Sequence, residues 1–285
     1  MPKDRIVKSG FKTKKKLLIW SGILVILTSC VKVYIDTNVM KVNKVQFHNE
    51  KIPADSEFTI LQISDLHNKE FGQNNEKLIQ TVKKENADII VLTGDLISRD
   101  TNNFSNVFML VEKITALNKH VYFVTGNHEW DHTNTRNFVE GLQERNVTVL
   151  NNQSSSIKIG QVIINLVGID DVSTNHENMS AAFVNVDKTN YTVLLSHAPN
   201  VVEEYEDISA DLILSGHTHG GQIRVPFIGA IVAPDQGLLP QLEKGTYEIN
   251  ENQFLYIDSG LGTSVAPVRF LNQSQVSVIT ISGAR

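Results

Sequence analysis

At 285 residues, 41% of them hydrophobic, the chain can bury a full core, and a single α/β domain with a short leader is the ordinary expectation for that size. Of its 26 basic and 31 acidic residues, Lys3, Arg5, Lys8, Lys12, Lys14, Lys15 and Lys16 crowd the first sixteen positions beside Asp4 alone, which leaves 19 against 30, a net of −11, for everything downstream. A domain so charged repels long nucleic acids, and a lone cysteine, Cys30, excludes an intramolecular disulfide.

After the lysines comes the uncharged, proline-free run LLIWSGILVILTSCV, residues 17–31. It falls short of the roughly 20 residues of a spanning helix, but Lys32 can snorkel and Tyr34 and Ile35 extend it to the interface. One reading is a membrane anchor over residues 17–35, with the basic leader 1–16 in the cytoplasm and the rest outside by the positive-inside rule. The other is a cleaved leader, because Leu27-Thr28-Ser29-Cys30 resembles the lipobox at which bacterial lipoproteins are acylated. Both place the remainder outside the cytoplasm, attached to the membrane.

Residues 36–57 read as a tether with a first edge strand, and residues 58–285 as the folded domain. Short apolar runs at 58–63, 89–92, 121–124, 193–195 and 212–214 predict buried strands. Between them, 74–86, 104–118, 135–145 and 200–205 have the spacing or polarity of surface helices. Residues 156–169 form two β-rich arms around Gly160, and 254–257 and 276–281 are again strand-like. The expected fold is α/β (α+β): mixed sheets packed as a sandwich flanked by helices, with an N-terminal transmembrane helix.

Each of the five runs ends in Ser or Thr, sometimes Gly, and then a residue type that binds metals: Ser64-Asp65-Leu66-His67, Thr93-Gly94-Asp95, Thr125-Gly126-Asn127-His128, Ser196-His197, and Ser215-Gly216-His217-Thr218-His219. Ligand types at the carboxyl ends of strands are where open α/β folds build their sites. Any one of these pieces recurs by chance. Their order does not, and five of the nine histidines fall at these positions.

The ordered set resembles the calcineurin-like metallophosphoesterases from about residue 58 to the C-terminus. Gly220-Gly221-Gln222-Ile223-Arg224, Pro226-Phe227-Ile228-Gly229, Ala233-Pro234-Asp235-Gln236-Gly237 and Gly260-Leu261-Gly262-Thr263-Ser264 make it most similar to the membrane-associated bacterial phosphodiesterase subgroup. It departs from that pattern at Asp258-Ser259 and at Asn272-Gln273-Ser274-Gln275, where substrate contacts are in question. The resemblance implies a four-layer fold and two divalent metal ions, Mn, Zn or Fe. Asp65, His67, Asp95 and His219 would hold the first ion, and Asp95, Asn127, His197 and His217 the second, with Asp95 bridging. Such a pair clamps a phosphoryl group and lowers the pKa of a water that attacks it. A thiolate-free donor set suits an open, catalytic site.

His128 is the expected catalytic residue, protonating the leaving oxygen or stabilising the transferring phosphoryl group, against the alternative of a purely structural histidine. Glu129 is expected to support its loop. Asp131 and His132 read as rim or solvated loop residues. Arg224 suits a phosphate contact, a surface ion pair being the competing reading. The run Val225-Pro226-Phe227-Ile228 would wall a lipid or sugar moiety, enter the membrane interface, or simply pack on the sheet. The expected activity is metal-dependent hydrolysis of phosphodiester or pyrophosphate bonds in a small-molecule or lipid substrate, such as a phospholipid headgroup or a lipid-linked sugar. The competing classes are a phosphomonoesterase or nuclease of the same family, and a non-catalytic metal-binding module.

Overall fold

The computed structural model describes residues 3–284, with side chains from residue 14 onward. Met1, Pro2 and the side chains of Lys3, Arg5, Lys8 and Lys12 in the expected leader, together with Arg285, lie outside the described residues. Helix α1 runs Lys3–Asn38. Its part from Lys14 to Asn38 is long and apolar enough to cross a membrane, with mean hydropathy 2.0 and no part of that window buried. The helix outlasts the apolar run because nothing between Val31 and Asn38 breaks it. The first strand, β1, starts at Lys41, so the expected tether shrinks to Val39 and Met40.

In chain order the other strands are β2 Glu57–Ile63, β3 Ile89–Thr93, β4 Val121–Val124, β5 Thr148–Val149, β6 Gln153–Ile159, β7 Val162–Gly168, β8 Tyr191–Leu195 and β9 Leu212–Ser215. Two small hairpins follow, β10 Arg224–Val225 with β11 Gly229–Ala230, and β12 Val232–Ala233 with β13 Gly237–Leu238. The last strands are β14 Gly245–Asn250, β15 Gln253–Ile257 and β16 Gln275–Gly283. One six-stranded sheet has the order β1-β16-β2-β3-β4-β5 and the other β14-β15-β9-β8-β7-β6. Both are mixed: β2 to β5 and β7 to β9 are parallel, while β16 runs antiparallel to β2 and β6 to β7. The edge strand expected before residue 57 is β1, parallel to β16.

Strand alternation builds the layers. In β3, Ile89 and Val91 enter the core between the sheets, while Ile90 and Leu92 face helices α2 Glu76–Glu85 and α3 Ser105–Leu117. In β8, Val193 and Leu195 face the first sheet and Leu194 faces the outer layer that covers the second. The result is helix, sheet, sheet, helix, each fully buried aliphatic contributing about 1.5–3 kcal/mol. The Gln62 side chain crosses the inter-sheet layer near the strand ends: its amide donates to Thr93 Oγ1 at 3.0 Å and to the Ser215 carbonyl at 2.9 Å. It ties the end of β3 in one sheet to the end of β9 in the other, directly beneath the ligand loops.

Candidate metal and active site

All seven expected ligands converge where the parallel strands of the two sheets end. Asp65 and His67 follow β2, Asp95 follows β3, Asn127 follows β4, His197 follows β8, and His217 and His219 follow β9. The turns are sharp enough that Asp65, His67, Asp95, His217 and His219 all take left-handed backbone, φ between 47° and 67°, a conformation that costs of order 1–3 kcal/mol for such residues and concentrates at functional sites. Two glycines make room: a Cβ on Gly94, itself at φ 83°, would lie 2.4 Å from His197 Nδ1, and one on Gly216 would lie 1.9 Å from Ser64 Oγ.

The donor atoms form two groups that share one oxygen. In the first, His67 Nε2 lies 3.1 Å from His219 Nε2, 3.6 Å from Asp95 Oδ2, and His219 Nε2 lies 3.6 Å from Asp65 Oδ1. In the second, His197 Nε2 is 3.2 Å from the same Asp95 Oδ2 and 3.2 Å from His217 Nδ1, which is 3.2 Å from Asn127 Oδ1. Bonds of about 2.0–2.1 Å to a common cation set neighbouring ligand atoms roughly 3.3 Å apart, which is the spacing found.

On neutral rings the outer ring nitrogens make these lone pairs. His197 Nδ1–H donates to the Thr93 carbonyl at 2.8 Å and His217 Nε2–H to Asp235 Oδ2 at 2.7 Å, so on neutral rings His197 Nε2 and His217 Nδ1 face each other bare. Two such nitrogens at 3.2 Å repel unless a proton or a cation lies between them. The electrostatics ask for positive charge at the same place. Burial, opposed by Asp95, drives His67 down to about 3, and burial also pushes His219 well down. Burial works against a charged His197 too, but the fields of Asp95, Asp65 and Asp171 and the Asp95 hydrogen bond overcome it. Burial and the neighbouring Asp95 charge raise Asp65 to about 6 despite His197. The residues present therefore fit two divalent cations.

Supporting groups fix the shared carboxylate. The His128 backbone N–H donates to Asp95 Oδ1 at 2.9 Å, which leaves Oδ2 to the two ligand groups. Glu129, fully buried on the short helix α4 Asn127–Trp130, supports the loop as expected, accepting backbone N–H bonds from Asp95, Leu96, Ile97 and Gly126 at 2.7–3.2 Å. Glu129→Gln turns one acceptor against these donors, and the expected loss of about 3 kcal/mol lowers the melting temperature of the metal-loaded chain by roughly 6–12 °C. An unchanged thermal unfolding curve would show that the carboxylate does not staple the two loops.

The His128 ring stands half-buried, edge-on to His67 with centroids 4.5 Å apart. Its Nδ1 lies 3.2 Å from the Arg99 backbone N–H and its Nε2 3.3 Å from the Arg99 guanidinium, so a donor faces each ring nitrogen. Burial and Arg99 hold its pKa below the usual value against the pull of Asp95. Arg99 also reaches Asp131 at 3.3 Å. Both Arg99 and His128 line a cleft of about 560 Å³ with Asp95, Asn127, His217 and His219. Arg224 stands apart from this cleft: it pairs with Glu243 at 2.6 Å and donates to the Gly220 carbonyl. His132 is buried and bonds to the Thr101 carbonyl at 2.7 Å, stapling a loop rather than standing in solvent.

Three residues near the site were not singled out in the sequence. Asp235 orients His217, Arg99 adjoins His128, and Arg269, fully buried, donates to the carbonyls of Gly262 and Ser259 at 2.8 and 2.6 Å and lies 3.4 Å from His219. The signal for Arg269 is its isolation, as the one charge between Gly260 and Gln275.

Paired ligand groups on a shared aspartate, at the strand ends of a two-sheet sandwich, define a class, and the chain belongs to it: residues 58–221 match the calcineurin-like phosphoesterase family. The chain is similar over nearly its whole length to the metallophosphoesterase YkoQ of Bacillus subtilis, 30% identical over 92% of this chain and 97% of the relative. A metallophosphoesterase of Aquifex aeolicus is 27% identical over 88% of this chain and 95% of its own. Among solved structures, the NAD nucleotidase of Haemophilus influenzae superposes with a TM-score of 0.49 at 17% identity, covering 72% of this chain and 46% of that one.

Proposed function

We propose that this chain is a membrane-anchored phosphodiesterase that hydrolyses phosphodiester or pyrophosphate bonds of an envelope lipid or lipid-linked sugar, with its domain outside the cytoplasm. The observation that carries the hydrolytic reading is the sharing of Asp95 Oδ2 between two groups of bare ligand atoms. Asp65, His67, Asp95 and His219 would hold one divalent cation, and Asp95, Asn127, His197 and His217 the other. Bound there, the pair would polarise a phosphoryl group and supply a water of lowered pKa. The chain's own residues do the rest. The His128 amide fixes the shared carboxylate, and the His128 ring protonates the leaving oxygen. Arg99, beside it, presents a guanidinium to a phosphate in the cleft. The helix from Lys14 to Asn38, preceded by lysines, supports the anchor and its orientation.

The test is hydrolysis by the full chain in detergent, with Mn, Zn, Fe or Mg added, of bis(p-nitrophenyl) phosphate against p-nitrophenyl phosphate. The expected result is metal-dependent cleavage that favours the diester by about ten-fold or more in kcat/KM. A preference for the monoester would sink the diesterase reading, and no cleavage with any metal would favour a non-catalytic module.

A further inference from the structure

One wall of the cleft carries the ligands and the opposite wall is apolar, lined by Ile223, Ile231, Val232, Pro234, Val265 and Ala266. This wall continues outward onto the surface. Phe227, at the tip of the β10–β11 hairpin, and Val265 are fully exposed, and Ile228, Val232, Leu238 and Leu239 are more than half exposed. Phe227 and Leu239 hold left-handed backbone, φ 67° and 54°. That conformation is favoured by Gly, Asn or Asp, and it is the exposure of bulky apolar side chains in these turns that marks an interaction surface.

The charge pattern agrees. Arg224 and Asp235 are the charged residues from Ile223 to Leu242, and Arg269 the one from Gly260 to Gln275. Arg224 pairs with Glu243, Asp235 with His217, and Arg269 is buried. A domain of net charge −11 thus presents, over these two stretches, Asp235 as the one exposed charge without a charged partner among the described residues, and that carboxylate is hydrogen-bonded to His217.

The anchor helix ends beside that face. Asp36 and Thr37, in the last turn of α1, are buried. Asp36 accepts N–H bonds from Asn272 and Ser274, and Thr37 Oγ1 accepts one from Arg269. Within that same segment, Phe270 exchanges backbone hydrogen bonds with Gln222 and Arg224, and Leu271 lines a recess with Phe227. The helix end and the exposed hairpins therefore hang on one short stretch, residues 269–274.

We propose that the β10–β11 hairpin, the β12–β13 hairpin with Leu239, and the loop carrying Val265 form a second membrane contact. They insert into the headgroup layer of the leaflet from which α1 emerges, and turn the mouth of the cleft toward lipid phosphates. This rests on the anchored reading above. Amphipathic surface insertion scales with buried apolar area, and a rigidly docked spanning helix holds these side chains at the bilayer continuously.

The test uses the full chain with Cys30→Ser, in nanodiscs of phosphatidylcholine and phosphatidylglycerol holding one copy each. An environment-sensitive fluorophore is placed by Phe227→Cys or Leu239→Cys, with Leu24→Cys reporting the anchor and Val184→Cys, exposed over the second sheet, reporting solvent. Nitroxide lipids should quench the probes at 24, 227 and 239 at least about three-fold more than the probe at 184. Quenching at 24 with none at 227 and 239 overturns the docking face and leaves the anchor standing. No quenching at 24 removes the anchor and the proposal with it. Shielding at 227 that appears only with two copies per disc and without lipid quenching would assign the face to a second copy of the chain. Phe227→Ser should cleave the soluble diester at the parent rate, so a failed hydrolase reading shows in the parent's activity and not in the quenching.

Discussion

Asp95→Asn should lose bound metal and activity together, with kcat/KM down by at least about 10³, some 4 kcal/mol of transition-state stabilisation. The substitution keeps shape and removes one negative oxygen, and neither amide orientation is tolerated. With NH₂ at the Oδ1 position it meets the His128 backbone N–H, donor against donor, where the carboxylate accepts at 2.9 Å. With NH₂ at the Oδ2 position it points protons at His67 Nε2 and His197 Nε2, the atoms that the shared oxygen joins at 3.6 and 3.2 Å. Asp65 and Asp95 are also the only carboxylates among the seven ligands, so half of the negative charge offered to two dications disappears. Metal content by elemental analysis of the purified chain, alongside diester turnover, checks this. Full metal occupancy with ordinary turnover would show that Asp95 does not bridge.

The convergence of these seven residues was legible in the sequence because chemistry and topology coincide. Each follows an apolar run by two to five residues, and a run that ends in Ser or Thr and Gly marks a strand entering a tight turn. The layers were legible too, since β3 and β8 are apolar on both faces as a doubly covered strand must be. Illegible were the groups that reach the site only through tertiary structure. Arg269 lies fifty residues beyond His219 and packs beside it through the β16 approach, and Asp235 comes from a hairpin whose two-residue strands carry no periodicity. The ion pair of Arg224 with Glu243 spans a loop of unpredictable path. β14, GTYEIN, alternates exposed and half-buried residues at a sheet edge and has too little apolar content to announce itself. The end of α1 is illegible for a related reason: Asp36 and Thr37 look like the polar end of an apolar run, yet they are buried where the domain caps the helix.

His128→Ala separates the chemistry from the metals. His128 lies beside Asn127, but the ligand atoms spaced 3.1–3.6 Å apart close both groups without it, and its backbone N–H, which holds Asp95, survives the substitution. Metal content should therefore stay at the parent level while kcat on the diester falls about 10²–10⁴-fold, the range for a lost general acid. The leaving group then discriminates its role. An acid matters most when the departing oxygen is a strong base, so the loss should be larger for an alkyl diester than for bis(p-nitrophenyl) phosphate, whose leaving group departs without help. The proton at issue is the one on the His128 ring, both of whose nitrogens face Arg99 donors, at 3.2 and 3.3 Å. An equal loss for both substrates would assign His128 to electrostatic support of the phosphoryl group, through the same edge that faces Arg99. Metal lost along with turnover would make it a ligand, joining His67 and Asp95, to which its ring is already close.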